Sequence, residues 1–87
     1  MELRLQRRAD NERVVRRLEA HRWEGEAAIV CECTDPSCVE HLDVTRAEWQ
    51  RVHGHGAWFF VRPGHEEPSS ERVVEADERF LVVEPLG

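Results

Sequence analysis

Between Cys31 and Cys38 the chain reads CECTDPSC, and those eight positions hold all three of its cysteines. Thiols packed this closely restrict the fold more than any other feature. Two cysteines one residue apart on an extended strand have Cα atoms about 6.5 to 7 Å apart, at or beyond the limit of disulfide geometry. Cys31 and Cys33 are therefore not expected to pair, and a bond from either to Cys38 leaves one thiol over. A metal ion uses all three. Asp35 and Pro36 are turn formers, Asp through its side-chain acceptor and Pro through its fixed φ, so the chain bends back after Cys33 and brings the sulfurs to one point. Zinc, which takes four tetrahedral nitrogen or sulfur ligands, then needs one more donor.

Five histidines compete for that place. His21 falls on a helix, and His53 and His55 form an HxH pair among glycines, where a solvated loop is the simpler reading. His41 lies three residues after Cys38. His65 is distant in sequence but held in RPGHEE, where Pro63 restricts the backbone and Gly64 permits a tight turn. Spacing alone leaves His41 and His65 both open.

An 87-residue chain is one small domain, and a chain this short buries a modest fraction of its surface, so a staple helps it fold. No apolar run approaches membrane-spanning length, and the first residues lack the apolar centre of a secretion signal. These readings point to the cytoplasm, a reducing compartment in which clustered cysteines serve as metal ligands or reactive thiols. Charge is uneven: the segment through Gly25 has seven Arg against five acids, and the remainder five Arg against thirteen, for a net charge of −6. An acidic body disfavours nucleic acid as a partner, because that affinity rests on neutralising phosphates.

The elements follow from periodicity and breakers. Asp10 or Asn11 is expected to cap a helix whose Val14, Val15 and Leu18 form an apolar stripe opposite Arg13, Arg16 and Arg17. Residues 1–9 are then either a frayed tail or a helical extension that puts Arg4, Arg7 and Arg8 on the apolar side, with the domain proper at 10–87. AAIVCEC reads as a strand with Ile29, Cys31 and Cys33 on one face, and VEHLDV as its return, with Val39, His41 and Asp43 on one face and Glu40, Leu42 and Val44 on the other. TRAEWQRV carries a capping box from Thr45 to Glu48 and turns Trp49 and Val52 to the core. AWFFV is a third strand, and ERVVEADERFLVVEP supplies two more, the last apolar on both faces. The expected class is α+β: an N-terminal helix, then a small antiparallel sheet with one short inserted helix, stapled by structural zinc.

CEC, a further C, a capped helix with an aromatic, FFVRPGHEEP and ERVV…FLVVE together resemble a group of short proteins, without an assigned function, common in high-GC Gram-positive bacteria. The resemblance covers Cys31 to the end, with a weaker echo at Asn11, Glu12 and Arg13. Trp49 replaces a usual tyrosine, and HGHG replaces a charged loop. The resemblance implies Cys31, Cys33, Cys38 and His65 as the zinc ligands, and so favours His65 over His41.

A closed Cys3His site is structural by default. The sequence has no HExxH, no phosphate-cradling glycine loop and no nucleophile elbow, so an enzyme is not expected. The expected function is a small intracellular zinc-binding module that binds a protein partner or a second copy of itself, or else has a regulatory role. The alternative is a zinc/thiolate redox sensor.

Overall fold

Val82 and Val83 point to opposite faces of an extended chain, yet both are fully buried. The strand that carries them, β5 (Leu81–Pro85), is thus covered on both sides in the computed structural model, which describes residues 2–87. β5 is the middle of a three-stranded antiparallel sheet, flanked by β3 (Phe59–Val61) and β4 (Glu71–Ala76). The β4 ladder is interrupted by a bulge between Val73 and Glu75.

β1 (Glu26–Val30) and β2 (His41–Thr45) form a separate antiparallel pair. Alternation along β2 runs as expected, with Leu42 and Val44 buried and His41 and Asp43 exposed. The α+β class holds, but the single expected sheet is two. The reason lies at Cys31, where the chain leaves the β1 ladder earlier than the AAIVCEC reading requires. Cys31 N–H still donates to Glu40 O at 3.0 Å, and the next amide, Glu32 N–H, donates instead to Phe60 O at 2.8 Å. The cysteine segment therefore crosses from one sheet to the other and fills the open edge of β3.

α2 (Arg46–His53) begins with the expected box: Thr45 accepts from the Glu48 amide, and Glu48 accepts from the Thr45 amide. Its Trp49 and Val52 enter a core made with Ile29, Leu42, Val44, Phe60, Phe80 and Val82. Phe80 meets Phe60 edge-on at 5.1 Å. A second cluster joins Cys31 and Cys33 to Phe59, Val61 and Val83.

The first helix departs most from expectation. α1 (Glu2–Ala20) does not start at Asp10, and Asn11 is no cap but a buried residue in mid-helix. Residues 2–9 continue the helix, while Met1 of the segment 1–9 lies outside the described residues. Of the apolar stripe only Val15 is buried; Val14 is 38% exposed. The face turned to the protein is instead Arg4, Asn11 and Val15, spaced at i, i+7 and i+11. Hydrogen bonds rather than apolar area orient this helix. No helix among the described residues is long and apolar enough to cross a membrane.

Candidate metal centre

Two turns build the site. In the first, Asp35 accepts from the Ser37 amide and hydroxyl through one carboxylate oxygen, and Cys38 N–H closes onto Asp35 O at 3.1 Å. Those Ser37 hydrogen bonds hold the Asp35 carboxyl below its ordinary value. The bend returns Cys38 beside Cys31 and Cys33 within eight residues. In the second turn His65 N–H donates to Arg62 O at 2.9 Å, and Gly64 adopts φ 94°, a conformation that disfavours any side chain. Pro63 and Gly64 together aim the His65 ring at the cysteines.

All four donor atoms lie within 4.8 Å of one another. His65 Nδ1 is 3.4 Å from Cys38 Sγ and 3.7 Å from Cys31 Sγ. A tetrahedral ion with metal–sulfur bonds of about 2.3 Å and metal–nitrogen bonds of about 2.0 to 2.1 Å sets its ligand atoms about 3.5 to 3.8 Å apart. The two His65–sulfur separations thus match the ligand shell of a small tetrahedral ion, and the remaining pairs lie close enough for one to draw together. Cys31 and Cys33 are buried, Cys38 and His65 half-buried, and none of the cysteines is in a disulfide. A cavity of about 230 Å³ opens beside His65, lined also by Asp35, Gly64, Glu66 and Glu67.

The thiols differ in acidity. Burial pushes Cys31 up to about 12, the Arg62 amide opposing and Cys33 adding to the shift. At Cys33 burial acts in the same direction, but hydrogen bonds from His65, the Asp35 amide, Cys38 and Cys31 outweigh it and bring the thiol down to about 7. A cation placed among them overrides both values, because a coordinating thiol loses its proton outright.

The other histidines are elsewhere. His41 is exposed on β2, where its carbonyl accepts from Arg62. His53 pairs with Glu12 and stacks on Trp49, and His55 stacks on Trp58 with centroids 3.8 Å apart. His21 is exposed just past α1.

Around the cluster lies a polar shell that sequence reasoning did not foresee. Asn11 Nδ2 donates to Val30 O and to Glu32 Oε2, each at 2.9 Å, while its Oδ1 accepts from Val30 N–H at 2.8 Å. Glu32 Oε1 accepts from Phe60 N–H. Desolvation raises the Glu32 carboxyl, while Asn11 and the Phe60 amide oppose the rise. Arg4 donates to Glu32 O at 2.7 Å and pairs with Glu71 at 2.6 Å, both side chains almost fully buried. Arg7 donates to the carbonyls of Cys33 and Cys38. Two signals in the sequence mark this shell: the acid between the two cysteines of CEC, and arginines recurring at helical spacing on the inward side. No family model matches the chain, and neither does any curated protein or solved structure.

Proposed function

We propose that this chain is a zinc-stapled, non-catalytic module that acts in a reducing compartment by binding an acidic protein partner. One observation carries the metal: three sulfurs and one imidazole nitrogen, with no oxygen among them, gathered within 4.8 Å. Soft sulfur and imidazole donors in a tetrahedron select zinc over magnesium or calcium, and four protein ligands leave no position open for substrate.

The binding reading rests on how the arginines are used. Seven of the twelve have a carboxylate within ion-pair distance, and Arg7 and Arg8 are spent on backbone carbonyls. Arg16, Arg17 and Arg22 have no ion-pair partner among the described residues; Arg17 borders a shallow apolar groove of Val14, Leu18 and His21, and Arg16 lies beside Arg13 and Arg17 on the same stretch of α1. A short acidic protein segment complements that face locally, whereas the net charge of −6 weighs more heavily against a long polyanion such as nucleic acid that extends past it.

Metal content of the purified protein tests the first part. One zinc per chain is expected, kept by His41→Ala and lost or greatly weakened in His65→Ala. A metal-free parent, or loss in His41→Ala alone, overturns it. A photo-crosslinker at Val14 tests the second part: the adduct carries an acidic segment and disappears on Arg16→Glu with Arg17→Glu. Crosslinks to nucleic acid, or adducts indifferent to the charge reversal, contradict it.

A zinc/thiolate redox sensor is the second reading. Cys38, the one cysteine only half-buried and so the one open to an oxidant, favours it. Zinc release and reversible unfolding under mild peroxide would support this reading, and inert thiols remove it.

A further inference from the structure

Arg7 reaches the cysteines from outside their own loop. Its Nη1 donates to Cys33 O at 2.8 Å and lies 3.4 Å from Cys33 Sγ, and its Nη2 donates to Cys38 O at 2.9 Å. The guanidinium is half-buried and has no carboxylate partner among the described residues. Above three neutral thiols it would be a cation answered by carbonyl dipoles and, through space, by the exposed Asp35 carboxylate. Above a metal–thiolate centre it meets a net negative charge, since three thiolates outweigh one divalent ion. Its fork spans both ends of the bend, touching Cys33 and Cys38 at once, which a single ammonium does not do.

We infer that Arg7 is a positioning residue for the metal: it holds Cys33 and Cys38 in ligating geometry, compensates the charge of the loaded site and dampens the reactivity of the Cys33 thiolate. The inference rests on the zinc reading given above. Arg62 N–H, 3.3 Å from Cys31 Sγ, does for a second sulfur what Arg7 does for the first. Because Arg7 sits on α1, metal binding and docking of α1 are linked, and each strengthens the other by the same factor.

Metal affinity measured against a competing chelator, together with the cobalt(II) spectrum, tests this. Removing an outer-shell partner of this kind weakens metal binding by about 10- to 100-fold, and Arg7→Met is expected to fall in that range. Its thiolate-to-cobalt band should move to lower energy, and iodoacetamide should alkylate the loaded site faster, as a sulfur released from a hydrogen bond is the better donor. Arg7→Lys should recover part of the affinity, and Arg13→Met, at an exposed pair with Asp10, should match the parent. If Arg7→Met does not fold, Arg7→Lys decides alone: weakened affinity supports the role, and affinity equal to the parent overturns it. A parent with no cobalt–thiolate band sinks the zinc reading itself. A parent that binds metal, beside an Arg7→Met with unchanged affinity and spectrum, sinks only the role of Arg7.

Discussion

Asn11 stands in for a missing neighbour strand. Its amide pairs with both the N–H and the C=O of Val30, the two groups an adjoining strand would have met, and its remaining donor goes to Glu32. Asn11→Leu keeps the branched shape of the side chain and strands all three partners, Glu32 in a buried place and the two Val30 groups in a part-buried one. Leaving such groups unpaired costs about 1 to 3 kcal/mol each, so a loss of about 3 kcal/mol or more is expected in urea unfolding of the metal-loaded protein. Arg13→Ala, at an exposed ion pair, should change stability by less than about 0.5 kcal/mol. Sequence periodicity missed Asn11 because it scores a helix face by hydrophobicity. Here the buried face is built from polar atoms that find their partners only once the rest of the fold is in place. The three cysteines were legible for the opposite reason, since their chemistry is local to one bend with strong Asp and Pro signals, whereas spacing left His65 level with His41 and only the resemblance favoured it.

Among the elements, α2 was the most legible, since Thr45, Glu48, Trp49 and Val52 each state their role within a single turn. Hidden from view was the clasp that fastens α2 to the rest. Arg79, in the connection between β4 and β5, pairs with Glu48, with Glu26 and with Asp77. Burial works to raise the Glu48 carboxyl, but the Arg79 and Thr45 hydrogen bonds outweigh it and hold it below its ordinary value of 4.5. Asp77 is likewise lowered, chiefly by Arg79. A carboxyl depressed in the folded state stabilises fully above its unfolded value and loses that contribution as pH falls through its folded value. Arg79→Met is therefore expected to lower the urea midpoint by a constant amount above about pH 5, and the gap to the parent should close as the pH drops toward about 3. A gap that widens on acidification contradicts this assignment. The split into two sheets was equally out of reach of the sequence. It depends on Glu32 choosing Phe60 over a β2 partner, a choice made between residues 28 positions apart.

Over the whole molecule, one long helix lies against two small sheets, and ties of different kinds hold them together. The candidate metal centre joins the bend at Cys31–Cys38 to a turn 27 residues further on, closing a loop that would otherwise retain entropy. Arg4, Arg7 and Asn11 fasten α1 to the same bend and to Glu71 at the start of β4. Because these three side chains work as a set, the helix behaves like a key cut to a single lock. One alanine inserted after Ala9 turns everything before it by about 100° relative to Asn11, so Arg4 and Arg7 miss their targets. The melting temperature should fall by about 10 °C or more, whereas one alanine inserted next to Gly25, an exposed position where an added Cβ would meet nothing within 4 Å, should leave it within about 2 °C of the parent. Drift in chain length is thus written out of the first three turns of α1 and permitted just beyond its end, a pattern of gaps that an alignment of true relatives would have to show.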